Sequence, residues 1–367
     1  MTEISSAIQE LASKLDEGLG SRSFPGYRLP MRPDQHSKTR FSPWFLFAIL
    51  LFAIPASSQT CFTSDDMDPA TRSALQATAS RYFDTVVRGD TASLKQNSIP
   101  SVASNFAGFE NTIKENQTNL VGAHAVPRPP FLLKAEGTAP LPKAEFLCGV
   151  FGAGGQTSNS AEFIIPNLPP GSYGVVILDV TAKTPYTMSF VLQQQGTDWK
   201  LGGFFLRPTQ IAGHDSNWFL ERARACKTKG QTHNAWLYFL QGSELAVAVP
   251  FMYTQATDKL YDETQSVKPS DFPADGKTVD LTAPTGKTYK LTSIFPLAVG
   301  QDLDLVVRFQ TADVSNTGQT FQENMTVMKA LVLKFPELRD AFNGIVARAV
   351  EPSGKDYGSL MAMKDIK

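Results

Sequence analysis

The chain has 367 residues, 42% of them hydrophobic, with 34 Lys and Arg against 35 Asp and Glu for a net charge of −1. That composition excludes a disordered chain. The balanced charge, with no dense basic run after Arg40, excludes a nucleic-acid partner.

Residues 1–30 carry Ile8, Leu11 and Leu15 at helical spacing, which fits a cytoplasmic extension; the other reading is a start called thirty residues early, since Met31 opens an ordinary signal peptide. Over 31–58, Arg32, Lys38 and Arg40 form a positive n-region ahead of the apolar run Trp44–Ile54. As a helix that run spans only about 16 Å, about half a bilayer core. Pro55 ends it, and the small residues Ala56 and Ser58 set cleavage between Ser58 and Gln59. The expectation is a periplasmic or secreted protein that meets the membrane only during export; a retained anchor is the competing reading. Residues 59–66 would be a mature N-terminal tail.

Three cysteines remain after processing: Cys61, Cys148 and Cys226. An oxidising compartment allows one disulfide and leaves one thiol. The apolar run FLCGVF suggests that Cys148 is a small buried hydrophobe instead. No Cys-x-x-Cys or His-x-x-x-His occurs, and His124, His214 and His233 are scattered, so no metal site is expected.

Asp68-Pro69 starts a helix, Asp as cap and Pro at its first position. Leu75, Ala79, Phe83 and Val86 form its apolar stripe, Gly89 closes it, and Asp90 caps a short second helix. A third helix presents Phe106, Phe109, Ile113 and Leu120 before a break over Val126–Pro130. From Phe131 the period changes to strands: FLLKAEG, AEFLCGVF, AEFIIP, YGVVILDV, YTMSFVLQQQ and WKLGGFFL. NLPPGSYG and GTDW are their turns. Helices followed by an antiparallel meander make an α+β pattern.

RYFDTVVRGDTASL resembles the first helix of the NTF2-like (SnoaL-like) superfamily, and TDWKLGGFFL is similar to that family's late hairpin, with its Trp just after the turn. The resemblance covers about 67–208. It implies a cone of helices on a curved antiparallel sheet with an apolar pocket. In such a pocket an enzyme of the family uses an acidic or His base and a hydrogen-bond donor. Asp179, which interrupts VVILDV, is the candidate base, because burial there would raise its pKa. Tyr82 is the candidate donor. The plainer reading is that Asp179 ends the buried part of its strand at a solvated rim.

Over 209–268 the chain is helical. HDSNWFLERARACKTKG and QTHNAWLYFLQGSELAV form a hairpin turning at Gly230, with Asp215 as a cap and His233 helping to solvate the second helix start. Ala223, Gly230, Ala235 and Phe239 stand at spacings similar to those of one tetratricopeptide (TPR) unit, although Phe219 takes the place of the expected Trp. A further helix near Tyr253–Val267 would pack beside them. Trp218 and Tyr238 are the candidate partner-binding residues of this segment, with Trp236 and Phe239 in its core.

KPSDFPADG reads as a domain boundary. Beyond it, 275–367 reads as a small α+β domain: strands TVDLTA, TYKLTSIF and LDLVVRFQ, a helix with Phe321, Met325, Met328, Leu331 and Val332 on its apolar side, then closing strands GIVARAVE and SLMAMKDI. Asp302 and Asp304 share one strand face.

No cofactor is expected. Gly152-Ala153-Gly154-Gly155 has no following Gly-Lys-Ser/Thr and lies between strands, so it is a turn and not a phosphate loop. No Gly-x-Ser-x-Gly occurs. The favoured reading is an exported, non-enzymatic binding or scaffolding protein that takes a protein or peptide partner through its helical segment. The alternative is a small-molecule isomerase, lyase or ligand carrier that uses the cone.

Overall fold

The computed structural model describes residues 59–153, 155–274 and 276–367; the signal peptide, its cleavage and the 1–30 extension lie outside them. The fold is α+β. Strand β1 (Gln59–Phe62) occupies the stretch expected to be a tail. Helix α1 (Pro69–Val87) starts where Asp68 accepts a hydrogen bond from the Thr71 amide at 2.9 Å. Leu75, Ala79, Tyr82, Phe83 and Val86 are its buried stripe. Asp90 caps α2 (Thr91–Gln96), and a short α3 (Pro100–Ser104) precedes α4 (Ala107–Leu120). Strand β2 (His124–Pro127) lies where a break was expected.

The main sheet then forms from β3 (Phe131–Ala135), β6 (Gly171–Thr181), β7 (Tyr186–Gln195) and β8 (Asp198–Pro208). Between β3 and β6 the chain makes the long hairpin β4 (Leu141–Gly152) and β5 (Gly155–Leu168). The sheet order is β1-β3-β6-β7-β8, with β2 also paired to β6, and every pairing is antiparallel. Both β1 and β2 are four residues long, and β2 carries Pro127. Segments that short hold no readable alternation, and a proline is tolerated there because β2 is an edge strand.

Alternation sorts β6 between two cores. Val176, Leu178 and Val180 face the helices, with Tyr82, Phe190 and Phe204. Tyr173 and Val175 face the β4–β5 hairpin, with Phe146, Cys148 and Phe163. A strand buried on both faces reads as the continuous apolar run VVIL. Gly174 lies in β6 against α1: any Cβ there would overlap the Leu75 side chain. Gly149 has φ +82 and stands at a bulge in β4, where a side chain would strike the Asn159 carbonyl. A disulfide joins Cys61 on β1 to Cys148 on β4, with Cα atoms 5.1 Å apart. Cys148 is therefore a crosslink and not simply a buried hydrophobe, and Cys226 is the free, buried thiol.

A small hairpin, β9 (Gln210–Ile211) and β10 (His214–Asp215), turns through Ala212 and Gly213, both at positive φ. Helices α5 (Ser216–Thr228) and α6 (Thr232–Ala246) follow as the antiparallel pair anticipated around Gly230. Strand β11 (Met252–Thr254) returns to pair with β5, and α7 (Gln255–Gln265) leaves it through a Thr254/Thr257 capping box.

The last sheet runs in chain order: β12 (Val279–Thr282), β13 (Thr288–Val299), β14 (Asp302–Gln310), β15 (Gly344–Val350) and β16 (Asp356–Ala362). β14 and β15 are parallel, so the chain crosses over through α8 (Thr317–Lys334) and a 3₁₀ turn at Pro336–Asp340. Phe321, expected on the apolar side of α8, is 41% exposed, because the buried face of the helix runs through Thr320, Asn324, Val327, Met328 and Leu331 and leaves Phe321 at its margin.

This sheet and the helical hairpin share one core, which runs from Phe219, Leu237 and Phe239 through Leu305 and Phe309 to Leu331. The KPSDFPADG stretch is not a boundary, since Phe272 within it is 3% exposed in that same core. Residues 209–268 and 276–367 therefore share one packed core. Among the described residues no helix is long and apolar enough to cross a membrane.

Candidate functional site

The two residues proposed for chemistry in a cone do not meet. Asp179 falls on the β6 face that carries Tyr173 and Val175, beyond the part covered by the hairpin, and its side chain is 54% exposed. Arg128 grips it from two nitrogens, Nη2 to Oδ1 at 2.7 Å and Nε to Oδ2 at 3.0 Å. It is a solvated rim carboxylate in a bidentate ion pair. Tyr82 lies on the opposite face, 2% exposed, with its ring 5.9 Å from that of Phe190. Its hydroxyl donates toward the carbonyls of Trp199 at 3.0 Å and Asn97 at 3.1 Å. Burial holds the phenol pKa above its ordinary value. Tyr82 thus ties α1 to the α2–β8 junction, and a sheet separates it from Asp179.

The aromatic candidates of the helical segment also separate. Tyr238 is 5% exposed and donates to the Ala341 carbonyl at 2.8 Å, with its pKa pushed up to about 12 by burial. It is a core residue, not a presenting surface. Trp218 is half-buried, stacked on His214 at 3.7 Å with Arg222 5.1 Å from its ring. Trp236 and Phe239 are core, as expected.

His233 does not merely solvate a helix start. Its Nδ1 lies 2.7 Å from Glu337 Oε1 and its Nε2 2.9 Å from Asp271 Oδ1. The ring is 4.6 Å from that of Phe272 and 4.4 Å from that of Phe335. It ties α6, the 268–276 connection and the turn after α8 together. No group of three His, Cys, Asp or Glu among the described residues is placed to hold a metal.

Two concave features stand out among the described residues. One is an open polar cleft of about 530 Å³ at the end of the last sheet, lined by Asp302, Arg339, Asn343 and Lys364. Arg339 is committed there, donating to the Met363 carbonyl at 2.9 Å and the Ile366 carbonyl at 2.6 Å, which pins the C-terminal turn. Beside it Asp304 is 4% exposed. Burial, then the charge of Asp302, raise its pKa, while the Gly344 amide opposes them.

The other is a cavity of about 140 Å³ between α6, β11 and α7. Val247, Pro250, Met252 and Leu260 give it apolar walls, and Tyr253, Tyr261, Asp258 and Asp262 stand around them. That is about the room of one benzene ring in an apolar protein cavity. The elements that build it follow from local rules. The capping box starts α7 at Thr254, and the helical repeat puts Thr257 with Tyr261, and Asp258 with Asp262, one turn apart. The Tyr253 hydroxyl is pushed up to about pKa 12 by burial, then by the charges of Glu162 and Asp258, so it stays protonated at neutral pH. The lining residues of α7 were not singled out from sequence. The available signal was the pair of repeats in TDKLYDE, which says nothing of the wall opposite.

Set beside known proteins, the chain stands without a guide: no family model, curated protein or solved structure matches it.

Proposed function

We propose that this is an exported binding protein that takes a ring-sized apolar group of a peptide or protein partner into the cavity between α6, β11 and α7. The observation that carries it is the cavity itself: concave, apolar-walled and ringed by a few polar groups, as binding sites generally are. It falls in the helical segment to which the sequence assigned partner binding, but at α7 and not at Trp218 or Tyr238. The Cys61–Cys148 disulfide supports export, since such crosslinks persist in oxidising compartments. The NTF2-like reading of 67–208 enters only as a scaffold. Helices packed on one face of an antiparallel sheet support it, and the separation of Asp179 from Tyr82 removes those two from any shared mechanism.

The test is a methyl-resolved NMR titration of the full chain with 2-phenylethanol. Shifts confined to Val247, Met252 and Leu260 are expected. An absence of shifts at these methyls up to the solubility limit would overturn the reading.

A further inference from the structure

The charged residues that line this cavity, Asp258 and Asp262, are both acidic. Asp258 and Asp262 are spaced i,i+4 on α7, where like charges repel. Asp262 also lies toward the helix C-terminus, the end that disfavours an anion. Asp262 makes no ion pair among the described residues, and no Lys or Arg lines the cavity. Glu162, 5% exposed, faces Tyr253 across the β5–β11 pairing and is close enough for its charge to act on that phenol. Tyr253 and Tyr261 add aromatic faces and hydroxyl oxygens to the same rim. Carboxylates and aromatic faces around an apolar pocket the size of one ring are what a cation with an apolar body requires.

We infer that the ligand of this cavity carries a primary ammonium next to its apolar ring. The inference rests on the cavity being the binding site, and two sources share that chemistry: a free arylalkylamine and the N-terminus of a peptide that begins with an aromatic residue. The ring fills the space between Leu260, Met252 and Val247, and the ammonium lies toward Asp258 and Asp262.

The experiment compares phenethylammonium with its neutral isostere 2-phenylethanol by NMR titration of the full chain at neutral pH. The amine is expected to bind about tenfold tighter or more. In Asp258→Asn/Asp262→Asn that preference should fall to near unity while 2-phenylethanol still binds, which also shows that the variant is folded. Equal or tighter binding of the alcohol to the parent overturns the charge requirement and leaves the cavity reading standing. If 2-phenylethanol does not shift the cavity methyls, the cavity reading falls and this inference with it. A second arm uses Phe-Gly-Gly amide and its N-acetyl form. Binding of the free peptide that acetylation abolishes sustains the inference and names a peptide N-terminus as the source. Binding confined to phenethylammonium sustains it with a free amine. Equal binding of the two peptides overturns it.

Discussion

The carboxyl of Asp304 is held 4% exposed on β14, beside Asp302 and against the Gly344 amide. Its folded pKa is raised, so between the ordinary value of 3.8 and the folded value the native chain binds more protons than the unfolded one. Stability therefore falls as pH rises through that interval, and above it the full cost of the buried charge is present. Asp304→Asn keeps an acceptor for the Gly344 amide and removes the charge. It should melt above the parent at neutral pH and together with it at about pH 3. Thermal unfolding across pH checks this; a gap of the same size at both pH values would assign the effect to packing. At this scale the sequence was half legible. Placing Asp302 and Asp304 on one face needed only the strand period. Asp179 could not be settled that way, because period alone does not say which face of β6 has cover at its far end. The structure gives that cover to Tyr173 and Val175 and leaves Asp179 to Arg128.

Among the elements, helix starts were the most legible, because a cap is a contact within one turn. Asp68, Asp90 and Asp215 each accept an amide three residues on, as their positions before an apolar stripe required. Strands β1 and β2 were not legible, since a four-residue strand is defined by its partner. Strand β1 is held by pairing with β3 and by the link from Cys61 to Cys148, 87 residues away. Closing a loop of that length restricts the unfolded chain, and the Cys61→Ala/Cys148→Ala variant should lose about 2–4 kcal/mol. Urea unfolding of both proteins measures it, with a larger m-value expected for the parent's reduced form than for its oxidised form. A loss near zero would mean that β3 pairing alone holds β1 in place.

For the whole molecule, the apparent boundary at 268–276 was misread because proline and glycine mark any irregular connection, buried or exposed. Only the position of Phe272 between His233 and Phe335 shows that this one is interior. The helical hairpin therefore has no apolar closure of its own: Phe219, Leu237 and Phe239 share a core with Leu305, Phe309 and Leu331. A chain ended at residue 268 should leave that hairpin molten, with protease cutting between 209 and 268, while the main sheet and its helices stay protected. Limited proteolysis with mass spectrometry reads this directly. A protected hairpin in the truncated chain would show that α5–α7 fold alone.

Strand β11 has a further consequence. Its partner β5 is synthesised long before it, with the whole of the main sheet's later strands and two helices in between. Until Met252–Thr254 emerges, the amides and carbonyls of Ala161–Phe163 on the outer edge of β5 lack this partner and are open to the same edge on a neighbouring nascent chain. Pairing across such a separation is slow. The interval of synthesis between β5 and β11 thus leaves the Ala161–Phe163 stretch of that edge open to misassociation, and the arrival of three residues covers it.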